Sequence, residues 1–244
     1  MCALMIGRKG SVGFPGKNIF PVLGRPLAAY PLLAAKSSSD VKRIFVSTDC
    51  PDIMEIAKEY DAELIVRPPK LASKEALGED VFVHGYYEIK RILKEQGFDI
   101  EFVVLLFANG ATLNGELIDK GVAILRQDES FDSAVTTSVY NMWSPLRARK
   151  LRKDGCLHPM IPFETFGDPD TLNCDRDSQG DVHFADMSVS VVRPQCLENL
   201  AEGLLPQKWM GQRIAPILNW GGCDVDYEWQ VPMVEFWLRK HGIQ

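Results

Sequence analysis

Strand-like and helix-like segments alternate through the first 140 residues, and this alternation restricts the chain to few folds. The short runs rich in Val, Ile and Leu lack the polar alternation of half-exposed strands, so we expect both of their faces to be buried. Strands that alternate with helices form mostly parallel sheets flanked by helices, which predicts an α/β fold. The predicted strands span 2–7, 41–48, 62–66, 101–107 and 132–139, and the predicted helices span 26–38, 51–61, 79–96 and 117–128.

Length and composition narrow the class of protein further. The 244 residues suit one domain, because a chain of roughly 250 residues can still form a single α/β unit. A net charge of −6 argues against nucleic acid as a partner, since we expect no run of Lys and Arg to supply the phosphate-neutralising patch that such binding needs. No apolar run reaches the roughly 20 residues that cross a bilayer, and the first residues do not look like a secretory signal. We therefore expect a cytoplasmic protein that does not insert into a membrane.

Transition-metal chemistry is disfavoured. The six cysteines contain no CxxC pair, and the four histidines lie far apart in the sequence. Zinc sites are normally built from such closely spaced ligands. We therefore expect neither a structural zinc site nor a disulfide framework.

The pattern changes after residue 140. Residues 143–159 place basic side chains around an Asp-Gly pair, which is typical of a hairpin. The stretch 160–183 is rich in Pro, Gly and acidic residues, and a loop of that length in a compact domain is usually functional. Strand character returns at 184–192, and 231–242 predicts a final helix. The predicted sheet is thus interrupted by one long irregular insertion.

The segment GRKGSVGFPGKN (7–18) follows the first predicted strand, at the edge of a parallel sheet where ligands collect. Its four glycines let the backbone approach a ligand, and Arg8, Lys9 and Lys17 add positive charge. This combination fits a triphosphate. The spacing matches neither the P-loop nor the GxGxxG dinucleotide motif. A flexible basic loop without a ligand is the alternative.

The glycine-rich segment is one of five segments that occur together in a known family. LGRPLAAY (23–30), VSTD (46–49), RPPKLAS (67–73) and CDVDYEWQ (223–230) follow it in the chain. In this order the five resemble the acylneuraminate cytidylyltransferases, the CMP-sialic acid synthetases. The resemblance implies a Rossmann-like nucleotidyltransferase fold, usually a homodimer whose protruding arm reaches the neighbour's site. Residues 141–183 would form that dimerisation arm.

The resemblance also implies an activity and a set of site residues. The activity is transfer of CMP from CTP to the anomeric hydroxyl of a sialic-acid-like nonulosonate or related 2-keto sugar acid, with release of pyrophosphate. The implied residues are Arg8, Gly10, Ser11, Lys17 and Asn18 for the phosphates and base of CTP, Lys17 also for catalysis, Arg67 for a further nucleotide contact, and Asp224 and Asp226 for catalysis through bound Mg²⁺.

The pair Asp224 and Asp226 also has a physical basis. Residues two apart on an extended segment point the same way, so both carboxylates can face one cation. Mg²⁺ needs only one or two carboxylates besides phosphates and water. The alternative is an acidic pair in a solvated turn. Asp49, at the end of a predicted strand, either contacts the nucleotide or caps the helix that begins near Pro51.

The chain departs from the family pattern at two places. Val12 stands where the family has a lysine, and Lys9 stands where it usually has glycine. FANGATLN (107–114) replaces the family's Gln-Pro-Thr-Ser-Pro-Leu-Arg segment. We predict that Asn109 keeps a polar contact to the nucleotide in this loop. The departures indicate a divergent member with a divergent substrate.

An acidic sugar needs a partner for its carboxylate. An arginine binds a planar carboxylate through two parallel hydrogen bonds, and Arg147 and Arg176 are candidates near the proposed arm. Gln179 is a candidate contact to sugar hydroxyls or an acyl group. The alternatives are a solvated basic face around Arg147 and simple surface pairing of Arg176 with nearby aspartates.

Three functions fit these features. The first is the CMP transfer described above, with CTP and an acidic sugar as partners. The second is an enzyme of the same fold that uses another nucleotide or acceptor. The third is a non-catalytic nucleotide-binding or sugar-binding relative, which Val12 and 107–114 favour and the two aspartates oppose. No residue is predicted as a general base, because the anomeric hydroxyl of a 2-keto acid is more acidic than an ordinary alcohol.

Overall fold

The computed structural model describes residues 1–11, 13–73, 75–175 and 179–243. A seven-stranded sheet forms its centre, and a helix or loop connects each strand to the next. Two small two-stranded sheets lie outside it. The strands are β1 (Cys2–Gly7), β2 (Pro21–Val22), β3 (Arg25–Pro26), β4 (Arg43–Thr48), β5 (Glu63–Val66), β6 (Val103–Phe107), β7 (Ser133–Val139), β8 (Arg149–Leu151), β9 (Leu157–Pro159), β10 (His183–Val192) and β11 (Ile214–Leu218).

The central sheet has the strand order β11-β7-β10-β6-β1-β4-β5 and is mostly parallel, as predicted. β1 runs parallel to β4 and β6, β4 to β5, and β7 to β11, whereas β10 runs antiparallel to β6. Since β1, β4, β5 and β6 are parallel, they all end at one edge of the sheet, at Gly7, Thr48, Val66 and Phe107. We call this the carboxyl edge.

Helices cover the faces of the sheet, and the long α3 shows why they fold. Its buried residues Phe82, Tyr86, Ile89 and Leu93 form the apolar stripe that the sequence predicts. Each such side chain stabilises the fold by about 1.5–3 kcal/mol through burial. The helices are α1 (Ala29–Ser37), α2 (Pro51–Glu59), α3 (Gly78–Glu95), α4 (Gly115–Gln127), α5 (Pro194–Glu198) and α6 (Val231–Lys240).

All nine elements predicted in the first 140 residues are present, with ends that differ by a few residues. α4 begins two residues before its predicted start, because the side chain of Asn114 caps it by accepting the Leu117 N–H at 2.9 Å. β11 has no counterpart in the prediction. Pro216 lies in its middle and breaks the strand pattern, and it is tolerated because it is exposed on an edge strand.

The chain divides into two compact units. The larger comprises Met1–Thr137 and Asp186–Gln244, and the smaller comprises Ser138–Ala185. Within the smaller unit, β8 and β9 form the predicted hairpin, with Gly155 of the Asp-Gly pair at a φ of 79°. The predicted arm, 141–183, falls inside the smaller unit, and its role in a dimer stays a prediction.

In the described parts of the chain, no helix combines the length and apolar character that a bilayer span requires.

Candidate active site

A cleft of about 390 Å³ opens at the carboxyl edge, within the larger unit. It lies where the loops that follow β1, β5 and β6 meet the segment after β11. Every predicted nucleotide-binding residue except Gly10 lines it, together with one of the two predicted metal ligands. The lining residues are Ile6, Gly7, Arg8, Ser11, Gly13, Lys17, Asn18, Arg67, Leu71, Ala76, Gly78, Val81, Phe107, Ala108, Asn109, Asp226 and Tyr227.

The glycine loop, residues 7–18, forms the basic part of the cleft. Gly10 adopts a φ of 80°, which lets the loop turn at a position where other residues would be strained. Gly13 is needed for a close approach: a Cβ there would lie 2.8 Å from the carbonyl oxygen of Asp226 and 3.4 Å from the ring of Tyr227. The loop therefore packs directly against the segment that carries the carboxylates.

Asp49 anchors the glycine loop to the end of β4. Its Oδ1 accepts the backbone N–H of Lys9 at 3.1 Å and lies 3.9 Å from Nη1 of Arg67. The helix-capping alternative for Asp49 is wrong, because the N-terminal cap of α2 is Cys50, and no side chain makes a capping hydrogen bond there. Its position at the end of a strand, within the family-like segment 46–49, is the sequence signal for a role at the cleft.

Arg67 joins the ends of two strands at the cleft. Its side chain is 3% exposed, and Nη2 donates to the carbonyl oxygens of Gly7 at 3.0 Å and Ser47 at 2.5 Å. Burial lowers the pKa of the guanidinium, although an arginine still stays charged at neutral pH. These bonds give Arg67 a structural role. Its contact to a nucleotide stays a prediction.

Asn18 offers an acceptor at the cleft. Its side chain is buried, and its Nδ2 donates to the Arg8 carbonyl at 3.4 Å. Its Oδ1 is also buried but has no hydrogen-bond partner among the described residues. An unpaired buried oxygen is costly, and a ligand N–H or O–H at this position would remove that cost.

The carboxylate segment, residues 223–227, is bound tightly to the loop after β6. The side-chain Nδ2 of Asn109 donates to the backbone carbonyl of Val225 at 3.1 Å. The backbone carbonyl of Asn109 in turn accepts the Val225 N–H at 3.0 Å. Deeper in the protein, the hydroxyl of Thr112 accepts the N–H of Cys223 at 2.9 Å and lies 3.0 Å from the Cys223 carbonyl. These hydrogen bonds fix residues 223–225 against the loop after β6.

The two carboxylates of this segment have different surroundings. Asp224 is mostly buried and accepts from Asn109 Nδ2 at 3.2 Å, and both burial and the nearby charge of Asp226 raise its pKa. The side chain of Asp226 is 56% exposed, and its Oδ1 accepts from Nζ of Lys17 at 2.5 Å. The pair thus carries negative charge that the protein compensates only in part.

This arrangement can hold a hard cation. No group of three or more metal-binding side chains occurs among the described residues, so a site here would have two carboxylates at most. Mg²⁺ accepts that number when phosphates and water complete its shell. The raised pKa of Asp224 marks the uncompensated charge that a cation would neutralise.

The comparison with known proteins agrees with this geometry. A sequence profile of the family described as "Cytidylyltransferase" matches residues 2–139, which is more than half of the chain. The chain belongs to the cytidylyltransferase family. The matched range contains the glycine loop, Arg67 and Asn109, which line the cleft, and Asp49, which anchors the glycine loop.

Curated cytidylyltransferases match parts of the chain at modest identity. A pseudaminic acid cytidylyltransferase joined to a UDP-sugar hydrolase, from Helicobacter pylori, is 26% identical over 150 residues, which is 61% of this chain and 28% of that protein. An N-acylneuraminate cytidylyltransferase from Escherichia coli is 33% identical over 83 residues, which is 34% of this chain and 20% of that protein. The matches therefore span less than a third of these relatives' length.

A solved structure shares the fold of this cytidylyltransferase-family protein over nearly its whole length. It is a CMP:2-keto-3-deoxy-manno-octonic acid synthetase complexed with CTP, with a TM-score of 0.64, 13% identity and 98% coverage of both chains. At this identity the likeness shows the fold alone. It confirms the predicted α/β nucleotidyltransferase fold.

The candidate residues for the acceptor lie in the smaller unit. Arg147 donates from Nη2 to the Cys174 carbonyl at 2.6 Å, and Gln179 accepts from the Ser144 hydroxyl at 3.0 Å. Arg176 falls outside the described residues, as does Val12 of the glycine loop. The binding roles of Arg147, Arg176 and Gln179 stay predictions.

Sequence reasoning missed two residues of the site. Thr112 belongs to the loop 107–114, whose sequence departs from the family pattern. Its bonds to Cys223 give this loop a role in holding the carboxylate segment. Tyr227 lines the cleft beside Gly13. Neither was singled out from the sequence, because both act through contacts with residues more than 100 positions away.

Proposed function

We propose that this protein catalyses the Mg²⁺-dependent transfer of CMP from CTP to the anomeric hydroxyl of a sialic-acid-like nonulosonate, or a related 2-keto sugar acid, with release of pyrophosphate. The observation that carries the proposal is a cleft in which a basic glycine loop meets the carboxylate segment: Asp226 lines the cleft and pairs with Lys17, and the buried Asp224 lies two residues before it. Membership of the cytidylyltransferase family supports nucleotidyl transfer. The pseudaminic and N-acylneuraminic acids in the relatives' names support an acidic sugar acceptor.

The residues of the cleft suit a nucleoside triphosphate. Arg8 and Lys17 supply positive charge for the phosphates, and the hydroxyl of Ser11 supplies a further donor. Val81 and Phe107 add apolar surface suited to a base. Asn18 contributes its unpaired Oδ1. This combination of charged and apolar surface fits a nucleotide better than it fits inorganic phosphate alone.

The reaction depends on alignment and on charge. The anomeric oxygen attacks the α-phosphorus of CTP, the bond from that phosphorus to the bridging oxygen of the β-phosphate breaks, and pyrophosphate leaves. The hydroxyl proton passes to water. Arg8 and Lys17 stabilise the charge that develops on the leaving group. A Mg²⁺ held by Asp224 and Asp226 would neutralise phosphate charge and orient the α-phosphate.

Recognition of the acceptor is assigned to the smaller unit. We propose that Arg147 or Arg176 binds the sugar carboxylate through a two-pronged contact and that Gln179 contacts hydroxyls or an acyl group. We propose further that residues 141–183 form a dimerisation arm. Light scattering that gave only a monomer at working concentrations would overturn the arm without affecting the assignment of the cleft.

Pyrophosphate release tests the activity. CTP, UTP, GTP and ATP are each incubated with Mg²⁺ and a panel of sialic, pseudaminic, legionaminic and eight-carbon 2-keto acids. We expect release with CTP and one acid, and none after chelation of the metal. Release with another nucleotide would indicate a different nucleotidyltransferase. Binding of CTP without release from any acid would favour a non-catalytic relative.

A further inference from the structure

Lys17 and Asp226 form an ion pair across the cleft. Nζ of Lys17 lies 2.5 Å from Oδ1 of Asp226, and the Lys17 side chain is only 13% exposed. The backbone of Lys17 is fixed as well, since its N–H donates to the Phe14 carbonyl at the start of a short 3-10 helix. The ammonium therefore has a defined position on this carboxylate.

The proposed function gives both partners of this ion pair another task. Asp226 would bind a divalent cation, and Lys17 would bind phosphate. An ammonium and a magnesium ion cannot occupy the same carboxylate oxygen, because each needs that oxygen within about 2–3 Å. The ion pair therefore has to open before the metal site can form.

We propose that Lys17 is a resident counter-ion of Asp226, which hinders divalent-cation binding until a polyphosphate draws the ammonium away. Nucleotide and metal then bind with positive coupling, and each increases the affinity of the other by the same factor. This inference rests on the proposed function for the identity of the two ligands.

The surroundings of the pair suit such an exchange. Asp226 is more than half exposed, so solvent screens its attraction for Lys17 and a ligand with several negative charges can draw the ammonium away. A triphosphate carries several negative charges, and Arg8 adds attraction for it at the same loop. Asn109 holds Asp224 in place meanwhile. The cation would therefore bind Asp224, which is fixed throughout, and Asp226, which becomes available once Lys17 has moved to the polyphosphate.

Binding of Mn²⁺ to the nucleotide-free protein tests the exchange directly. The electron paramagnetic resonance signal of free Mn²⁺ falls as the ion binds, which gives a dissociation constant without any turnover. We expect Lys17→Gln to bind Mn²⁺ at least ~10-fold more tightly than the wild type, because the competing cation has been removed. Lys17→Arg keeps the charge and should bind as weakly as the wild type.

A matched control separates this effect from the general loss of positive charge. Lys9→Gln removes one charge from the same loop, from an exposed side chain, and should change the Mn²⁺ affinity less than ~2-fold. In Lys17→Gln, the further change Asp226→Asn should abolish the gain. Folding of each variant is checked by circular dichroism.

Two results would overturn the proposal. One is a Mn²⁺ affinity of Lys17→Gln no higher than that of Lys9→Gln. The other is a gain that survives Asp226→Asn, since the ion would then bind elsewhere. These measurements need neither CTP nor an acceptor. Failure of the proposed activity and failure of the counter-ion exchange can therefore be distinguished.

Discussion

The glycine loop and the carboxylate segment line the same cleft but are held in very different ways. Residues 223–225 bond to the loop after β6 through both main chain and side chains, and most of them are buried. The glycine loop exposes Lys9 and Gly10 and is tied by a few contacts, chiefly that of Asp49. The difference indicates that the carboxylate side of the cleft is preorganised, whereas the glycine-loop side can adjust to a ligand.

The largest effect should come from the buried carboxylate. Asp224→Asn keeps the size of the side chain but removes its charge, so the fold survives while a metal ligand weakens. We expect kcat for pyrophosphate release to fall by at least about 10³-fold, which corresponds to several kcal/mol of transition-state stabilisation. Steady-state kinetics with CTP measures it.

Glu228→Gln is the matched control for this variant. Glu228 is an exposed acid close to the same segment, but it does not line the cleft. Its kcat should stay within about 2-fold of the wild type. Equal losses in the two variants would mean that the general acidity of the segment matters, and not the carboxylate of Asp224.

The rigidity of the carboxylate segment can be broken at Thr112. This residue is fully buried, and Thr112→Val leaves the N–H of Cys223 without an acceptor. We expect the free energy of unfolding in urea to fall by about 2–3 kcal/mol. Thr165→Val, on the exposed surface of the smaller unit, should change it by less than about 0.5 kcal/mol. An unchanged free energy of unfolding in Thr112→Val would refute the role of the loop 107–114 in anchoring the carboxylate segment.

The contact between the two regions can be broken at Gly13. A methyl group in Gly13→Ala would lie 2.8 Å from the Asp226 carbonyl, so the glycine loop has to move away from the carboxylate segment. We expect KM for CTP to rise about 10-fold while Tm changes by less than about 2 °C, since the loop is exposed. An unchanged KM would show that the close approach is dispensable.

The anchor of the glycine loop should give the smallest effect. Asp49→Ala removes the acceptor of the Lys9 N–H, and a single hydrogen bond of this kind contributes about 1 kcal/mol. KM for CTP should therefore rise about 5-fold in Asp49→Ala. In Asp49→Asn the side-chain oxygen can still accept the N–H, so KM should rise less. An effect of Asp49→Asn as large as that of Asp49→Ala would assign the role to the charge beside Arg67 instead.

The sequence predicts what depends on local pattern. Continuous apolar runs such as 2–7 and the stripe of α3 specify buried strands and helices on their own. The four glycines and the basic residues of 7–18 predict a phosphate-binding loop after β1. The strand β11 escaped prediction because Pro216 disrupts its pattern, and only its position at the sheet edge makes that proline acceptable.

The charged groups of the candidate site could be predicted from the sequence, whereas the hydrogen bonds that hold them in place could not. Lys17 and Asp226, which the resemblance implied, line one cleft together with Asn109, which was predicted separately for the loop 107–114. Thr112 holds the carboxylate segment through hydrogen bonds to distant main chain, and such bonds leave no periodicity or spacing in the sequence. Knowledge of the fold was needed to find them.

Phosphorus-31 NMR of the reaction mixture tests the central claim most directly, because it shows which bond of the nucleotide breaks. CTP, Mg²⁺ and the acceptor acid are followed with wild-type protein and with Asp224→Asn. The account predicts that the three CTP signals give way to a phosphodiester and pyrophosphate, with the wild type only. Conversion of CTP to CDP and inorganic phosphate by the wild type, or unchanged CTP signals with every 2-keto acid tried, would contradict it.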